Sequence, residues 1–249
     1  MQRNLIFFCY PRSNGNWRRS VNHLLARWSQ FDGKKVVAIA HDTSTDHPND
    51  VVAAFGDASI EFHACQNTAL QEVQPFAHLL TAVSTEPGIT LYAHSKGCTH
   101  IENQSSHLWC DAMAAACLDY PTLIDCIMRD RSTCGAFRSL QKIGDSPSPW
   151  HFAGTWYWLR NAALFSRNWG DFEQKFWGTE SYPGRHFAHA ESACLFYDDA
   201  HTAHLYGIDF WRQNTGPAFR WWRESLAKCG QRPLCDDPPN CDLFREFTH

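Results

Sequence analysis

Long apolar runs are missing from this sequence. No stretch approaches the ~18 uninterrupted apolar residues that a membrane-spanning helix requires, so we expect no membrane span. The first eight residues also lack the features of a secretory signal, because their apolar segment is short and no small-residue cleavage site follows. We therefore expect a cytoplasmic protein.

An excess of positive charge is also missing. The formal net charge is -4, with 22 Lys and Arg residues against 26 Asp and Glu residues, which argues against a general nucleic-acid-binding protein. Arg12, Arg18, Arg19 and Arg27 form a local basic cluster that suits a small anionic ligand better than a duplex. Internal repeats are absent as well, and 44% of the residues are apolar, so we expect one globular domain over residues 1–249.

Cysteine is abundant at eleven residues, but the cysteines are scattered and no secretory signal precedes them. We therefore expect most of them to be reduced thiols in the core. Cys229, Cys235 and Cys241 recur at six-residue intervals near the C-terminus. Structural zinc sites more often use pairs about two to four residues apart. A tail that wraps the domain, with one disulfide, is therefore favoured over a zinc site.

Short apolar segments alternate with amphipathic ones along the first hundred residues. This alternation predicts an α/β fold with a mostly parallel central sheet and helices on both faces. Ligands in such sheets bind beyond the carboxyl ends of the strands, so we expect residues 10–16, 41–42 and 94–97 on one rim. The strand-like segments are residues 5–10, 36–40, 60–63 and 89–93, and the helical ones are 17–28, 48–55 and 70–83.

The tetrapeptide His94-Ser95-Lys96-Gly97 directly follows the apolar segment 89–93. A buried strand would deliver these residues rigidly to the sheet edge, and Gly97 permits a turn with positive φ or a close approach to a ligand. Lys96 would then be a fixed cation at that edge, where it could bind a phosphate group. The alternative is an ordinary strand-to-loop turn with a solvated lysine.

An aromatic segment, Gly154-Thr155-Trp156-Tyr157-Trp158, precedes Arg160. If it is a strand, alternate side chains face opposite sides of the sheet, and one row of rings could stay open to stack on sugar rings. Arg160 could bind an anionic group in a bidentate manner, and Gly154 indicates a backbone that another group approaches closely. The alternative is that the rings fill the core.

Glu180 lies between glycines and aromatic residues in a segment that we expect to be a loop. A carboxylate that is held out of bulk water there would suit a general base. The alternative is a helix N-cap or a surface carboxylate. Glu191 is open to the same two interpretations.

Three motifs occur in order along the chain. They are Tyr-Ala-His-Ser-Lys-Gly at 92–97, His-Phe-Ala-Gly-Thr-Trp-Tyr-Trp-Leu-Arg at 151–160 and Gly-Thr-Glu-Ser-Tyr-Pro-Gly at 178–184. Together they resemble segments of a group of bacterial and viral glycosyltransferase-like proteins, which is related to enzymes of rhamnan and lipopolysaccharide synthesis. Residues 10–17 and 67–72 are also similar to that group, so the resemblance spans roughly residues 5–200.

The resemblance implies a GT-A-like fold. In such a fold a Rossmann-type half, residues 1–100, would bind a nucleotide sugar, residues 101–228 would form the acceptor half, and residues 229–249 would be a C-terminal tail. Lys96 and His94 would stabilise the departing diphosphate, and Glu180 would take the proton of the acceptor hydroxyl. The donor-binding residues would be Tyr10, Asn14, Asp42, Ser95 and Gly97, and the sugar- or acceptor-binding residues would be Gly154, Thr155, Trp156, Trp158, Arg160 and Glu191.

A metal-binding motif of that fold is missing from the sequence. Related enzymes usually end the corresponding strand with Asp-x-Asp, which holds a divalent metal on the donor diphosphate, whereas this chain has His94-Ser95-Lys96. A lysine can supply the positive charge instead. We therefore expect a nucleotide-sugar co-substrate and no tightly bound cofactor, and a metal requirement is in doubt.

The resulting hypothesis is a glycosyltransferase that moves a hexosyl or pentosyl unit from a nucleotide sugar to a hydroxyl acceptor in glycan biosynthesis. Two alternatives stay open. One is a carbohydrate- or nucleotide-binding protein without turnover, for which the missing Asp-x-Asp would mark lost catalysis. The other is a viral-type DNA-modifying glycosyltransferase, against which the weak overall basicity counts.

Overall fold

In the computed structural model, the chain folds as an α/β protein around one central sheet. The structure describes residues 1–57, 59–99 and 102–214, together with residues 224, 226 and 227. The predicted tail with Cys229, Cys235 and Cys241 lies outside these residues. Among the described residues, no helix combines the length and the apolar character that crossing a membrane requires.

The strands of the described residues form an eight-stranded sheet in the order β3-β2-β1-β4-β7-β5-β6, and β8 pairs with β5. Strands β6 and β7 run against their neighbours, and all other strand pairs are parallel. The predicted mostly parallel sheet is therefore confirmed. The strands are β1 (Arg3–Cys9), β2 (Lys35–His41), β3 (Glu61–Gln66), β4 (Ile89–His94), β5 (Thr133–Ser139), β6 (His151–Phe152), β7 (Tyr157–Arg160) and β8 (Ser192–Asp198).

Helices cover both faces of the sheet, as the sequence predicts. Along β1, Leu5 and Phe7 belong to one apolar cluster and Ile6 and Phe8 to the other, because successive side chains of a strand point to opposite faces. The first cluster includes residues of α1, α2, α4, α5 and α9, and the second includes residues of α3, α6 and α7. The helices are α1 (Trp17–Leu25), α2 (Pro48–Phe55), α3 (Val73–Val83), α4 (Gln104–Leu118), α5 (Pro121–Asp130), α6 (Asn161–Phe165), α7 (Gly178–His186), α8 (Thr202–Leu205) and α9 (Ile208–Asn214).

The segment that carries Glu180 differs from its prediction, because it is helix α7 and not a loop. Pro183 lies inside this helix and cannot donate a hydrogen bond to the carbonyl of Thr179. That carbonyl instead accepts a hydrogen bond from the hydroxyl of Tyr157 at 2.8 Å. A hydrogen bond from β7 thus replaces the one that Pro183 removes. Helix α7 therefore forms although its sequence predicts a loop.

The basic cluster that the sequence predicts does not form one anion site. Arg19 is buried and donates from Nε to Asp111 of α4 at 2.6 Å. Arg27 is also buried, and its Nε donates to Asp119 at 2.6 Å. These two pairs satisfy charges that would otherwise be costly inside the protein, and they connect α1 and the residues after it to α4.

Candidate active site

A cleft of about 550 Å³ lies beyond the carboxyl ends of β1 and β4. Strands β1 and β4 are parallel neighbours, so both chains leave the sheet at the same rim. The loop after β3, the start of α7 and the region of α8 complete the walls. The cleft is lined by Phe8, Tyr10, Asn67, Gln71, Glu72, His94, Ser95, Lys96, Gly97, Cys98, Thr99, Ile143, Phe176, Glu180, Thr202 and Tyr206.

The structure brings six of the residues that the sequence singles out into this cleft. Five of them come from two strand ends, since Tyr10 follows β1 and the segment 94–97 completes and follows β4. Glu180 comes from the first turn of α7, more than eighty residues later in the chain. Residues that the sequence suggests for diphosphate binding and for proton transfer therefore share one cavity.

Lys96 lies over aromatic rings at the cleft wall. Its Nζ is 3.7 Å from the centroid of Trp109 and 5.5 Å from that of Tyr206. A ring face attracts a cation without neutralising it as a carboxylate would. The next residue, Gly97, has a φ of +79°, as the sequence suggests, and a Cβ there would meet the Cβ of Ser106 at 3.2 Å. The turn thus fixes the position from which Lys96 extends.

Ser95 connects the two strand ends. Its Oγ accepts a hydrogen bond from the backbone N–H of Tyr10 at 2.9 Å. The Tyr10 hydroxyl in turn donates to Asp42 Oδ2 at 2.9 Å. The segments after β1, β2 and β4 are therefore joined at the rim by side-chain hydrogen bonds.

Asp42 serves this network and does not itself line the cleft. Hydrogen bonds from Ser44 and from the Asn67 amide, which donates to Oδ2 at 2.9 Å, hold the pKa of Asp42 well below its usual range. The residue is therefore a carboxylate that orients Tyr10 and Asn67. Those two side chains, and not Asp42, line the cleft.

Glu72 is a residue of the cleft that sequence reasoning did not single out. It is buried at the base of the cleft, where Oε2 lies 2.6 Å from His94 Nδ1. Its Oε1 accepts hydrogen bonds from the hydroxyls of Thr155, at 3.2 Å, and of Thr179. Burial alone raises the pKa of Glu72, but the charge of His94 and the three hydrogen bonds outweigh it and lower the pKa. Glu72 thus contacts all three motifs that carry the resemblance.

Glu180 is held by the backbone of the β6–β7 turn. Its Oε1 accepts a hydrogen bond from the N–H of Gly154 at 2.9 Å. Among the described residues, the other oxygen, Oε2, has no hydrogen-bond partner. The carboxylate is therefore fixed in orientation while one of its oxygens remains available to a bound molecule.

Gly154 and Thr155 shape the site from behind the cleft wall. Both have left-handed backbone angles, with φ of +92° and +55°. The close approach that the sequence suggests at Gly154 comes from the protein itself, because a Cβ there would meet Met113 Sδ at 2.6 Å and Trp109 Nε1 at 2.8 Å. Neither residue lines the cleft, so the predicted sugar contact gains no support from their placement.

Trp156 and Trp158 are core residues, so the expectation of an open aromatic face is wrong. Their exposed fractions are 1% and 0%. Each indole N–H donates to a backbone carbonyl at 2.9 Å, that of His94 for Trp156 and that of Cys117 for Trp158. The alternative that the rings fill the core is the one the structure bears out.

Arg160 and Glu191 lie at the opposite edge of the sheet from the cleft. Strand β7 runs antiparallel to β4, which pairs Arg160 with Ile89 at the amino end of β4. Glu191 precedes β8, and its Oε1 lies 2.5 Å from Arg167. Neither residue lines the cleft. For Arg160 this follows from the reversed direction of β7, which carries the last residue of the strand away from the rim. The predicted contact of both residues with the acceptor gains no support from this placement.

Asn14, the remaining predicted donor-binding residue, is an exposed residue of the loop between β1 and α1. It does not line the cleft. The neighbouring Gly15 packs against the carbonyl of Cys98, since a Cβ at Gly15 would lie 2.3 Å from that oxygen. The loop therefore packs against the segment after β4 through Gly15, and Asn14 is exposed.

No protein-family model matches the chain, and no curated protein matches it in sequence. Solved structures are similar in fold. They include an inferred nucleotide-diphospho-sugar transferase from Desulfovibrio desulfuricans G20, with 16% identity, coverage of 99% of both chains and a TM-score of 0.42. They also include S. aureus TarS 1-349 in complex with UDP, with 13% identity, coverage of 86% of this chain and 72% of that chain and a TM-score of 0.42.

M. tuberculosis glucosyl-3-phosphoglycerate synthase is a third similar structure. Its identity is 12%, the match covers 92% of this chain and 81% of that chain, and the TM-score is 0.41. At these identities and TM-scores the similarity carries no inference about the reaction.

Proposed function

We propose that this protein is a glycosyltransferase with a GT-A-like fold. It would transfer a hexosyl or pentosyl unit from a nucleotide sugar to a hydroxyl group, in the biosynthesis of a glycan. One observation carries the proposal: the ammonium of Lys96 and the carboxylate of Glu180 line the same cleft beyond the carboxyl ends of parallel strands. Sugar transfer needs a cation for the diphosphate that leaves and a base for the hydroxyl that attacks.

The donor would occupy the side of the cleft formed by β1 and β4. Lys96, held on the ring of Trp109, would face the diphosphate as its negative charge grows. Tyr10 and Asn67 offer a ring, a hydroxyl and an amide to the nucleoside part of the donor. Their shared contact with Asp42 fixes both side chains before a ligand arrives, which reduces the cost of ordering them on binding.

The acceptor would approach from the side of α7. In the transfer, the acceptor oxygen forms a bond to the anomeric carbon, the bond between that carbon and the diphosphate breaks, and the hydroxyl proton passes to Glu180. The hydrogen bond from Gly154 to Oε1 supports this role, because it orients the carboxylate and leaves Oε2 for the proton.

We propose that the transfer does not require a divalent metal. The side chains that could bind a metal support this proposal. The segment 94–96 carries no carboxylate, and both oxygens of Glu72 already accept hydrogen bonds or contact His94. Glu180 is thus the one cleft carboxylate among the described residues with an oxygen free for a ligand. Lys96 would supply the positive charge that a metal supplies elsewhere, and EDTA should leave transfer unchanged.

A panel of nucleotide sugars tests the proposed function. Incubation of the protein with UDP-, GDP- and dTDP-sugars, with and without simple hydroxyl acceptors, should release the nucleoside diphosphate from at least one donor. The release should need both Lys96 and Glu180. Binding of a nucleoside diphosphate in a thermal-shift assay without any release would favour a binding protein without turnover, and the absence of both binding and release would overturn the proposal.

A further inference from the structure

Three possible metal ligands meet on the outer surface of α3 and the edge strand β3, away from the cleft. They are Glu61, His63 and His78, and their ligand atoms all lie within 4.8 Å of one another. Glu61 and His63 are two positions apart on β3 and therefore share one side of the strand. His78 is an exposed residue of α3. The cluster joins two elements that are separate in the sequence.

The distances in this cluster suit ligands around a single ion. His63 Nε2 lies 2.7 Å from Glu61 Oε1, and His78 Nε2 lies 3.1 Å from His63 Nδ1 and 3.3 Å from His63 Nε2. Two nitrogen atoms that each lie about 2.0–2.1 Å from a tetrahedral zinc ion are roughly 3.3 Å apart. The Nε2 atoms of His63 and His78 already have that separation. The carboxylate of Glu61 would need a small rotation away from His63 to reach a similar distance.

The chemistry of the three groups selects a class of ion. Two imidazoles and one carboxylate suit zinc and similar divalent transition metals, whereas magnesium and calcium prefer ligand sets made of oxygen atoms. His78 is exposed and the other two side chains are half-buried, so water can complete the coordination. The ammonium of Lys34 contacts Glu61 Oε2, which orients the carboxylate with Oε1 toward His63.

We propose that Glu61, His63 and His78 form a binding site for a divalent transition metal, with zinc as the reference ion. An ion there would fasten α3 to the edge strand. Helix α3 begins directly after Glu72, so the ion would brace the helix that starts beside the His94 contact at the base of the cleft. The site stands on its own residues and does not depend on the proposed sugar transfer.

Zinc titration of the full chain, prepared with EDTA and then freed of it, tests the site. Isothermal titration with zinc chloride should show a site that His63→Ala and His78→Ala each remove and that Glu61→Gln weakens at least tenfold. Zinc should also raise the melting temperature of the wild type and not that of the two alanine variants, because an ion that binds only the folded state stabilises it. Cobalt should give a visible absorption band that the same substitutions abolish.

Two controls separate this cluster from other metal-binding groups of the chain. His204→Ala removes another exposed histidine, which stacks on His201 at 4.5 Å and has no third possible ligand in the described part of the chain, and should leave the titration unchanged. A variant with Cys229, Cys235 and Cys241 all changed to serine should also retain the site. No zinc binding by the wild type, or binding that survives both His63→Ala and His78→Ala in folded protein, would overturn the proposal.

Discussion

His94 presents Nδ1 to Glu72 Oε2 at a distance of 2.6 Å, and this contact determines which imidazole nitrogen keeps its proton when the ring is neutral. The pKa of Glu72 is lowered, so the side chain is a carboxylate that can only accept hydrogen bonds. Nδ1 must therefore be the donor. The other nitrogen, Nε2, is buried and has no hydrogen-bond partner among the described residues. Nε2 is therefore the nitrogen of His94 without a hydrogen bond among the described residues.

Glu72→Gln should exchange the proton positions on His94. The glutamine oxygen would keep the hydroxyls of Thr155 and Thr179, so its amide nitrogen would face Nδ1 and donate to it. Nδ1 then becomes the acceptor, and in the neutral ring the proton moves to Nε2. Nitrogen-15 NMR of labelled histidine should show this change of tautomer. An unchanged His94 tautomer would contradict the orienting role of Glu72.

The same substitution should alter the pH dependence of stability. A group whose pKa is lower in the folded state contributes stability that is present above its unfolded pKa, here about 4.3, and is lost as the pH falls through the folded value. Glu72→Gln should therefore destabilise the protein by about 1–3 kcal/mol at pH 7. Below pH 4 the difference from the wild type should shrink. Urea unfolding at pH 7, 5 and 3.5 measures both effects, and a constant difference would contradict the assignment.

Lys96→Met should weaken the binding of nucleoside diphosphates about 10- to 100-fold, because a hydrogen bond to a charged group contributes about 1.5–3 kcal/mol. Methionine keeps an unbranched apolar chain against Trp109, so the fold should survive. Lys35→Met is the matched control, since Lys35 also lies over an indole ring, that of Trp28 at 5.7 Å, but at the amino end of β2. Equal affinities for the two variants would rule out the phosphate role.

The location of the cleft could be predicted from the sequence because it follows from strand direction. Apolar runs identify β1, β2 and β4, and parallel strands with helical connections end at one edge. That rule alone brings Tyr10 and Lys96 to the same rim. The turn at Gly97 could also be predicted from the residue type alone, because glycine adopts a positive φ more readily than other residues do.

Glu72 and Arg160 could not be placed in the same way. The partners of Glu72 lie 22, 83 and 107 residues away in the chain. The similarity of residues 67–72 to the glycosyltransferase-like group therefore does not show what Glu72 contacts. Arg160 ends a strand of four residues, and nothing in so short a run indicates whether it runs with or against its neighbour. Contacts between residues that are far apart in the sequence decide where Glu72 and Arg160 lie, and a single sequence does not show such contacts.

Glu180→Gln should abolish turnover while donor binding is retained. Glutamine can still accept the hydrogen bond from Gly154, but it cannot take a proton at neutral pH. The loss of a general base lowers kcat by roughly 10²–10⁴. Glu191→Gln is the control, because that carboxylate lies at the opposite sheet edge. Steady-state assays should therefore show normal kcat for Glu191→Gln, and normal kcat for Glu180→Gln would exclude it as the base.

Gly154→Ala should disrupt the support of the site as well as the fold. The added methyl group would lie 2.8 Å from Trp109 Nε1, and alanine would have to adopt a φ of +92°. Overpacking and left-handed strain together predict a loss of about 2–4 kcal/mol in urea unfolding. Because Trp109 is the ring beneath Lys96, the affinity for nucleoside diphosphates should fall too.

Gly170→Ala provides the comparison for that variant. Among the described residues, no heavy atom beyond Gly170 and its two chain neighbours lies within 4 Å of a Cβ at this position, so the stability of Gly170→Ala should stay within about 0.5 kcal/mol of the wild type. If Gly154→Ala lost stability but bound nucleoside diphosphates normally, Trp109 could not be what positions Lys96. A parallel loss of stability and affinity, confined to Gly154→Ala, would connect the β6–β7 turn to the proposed phosphate-binding charge of Lys96.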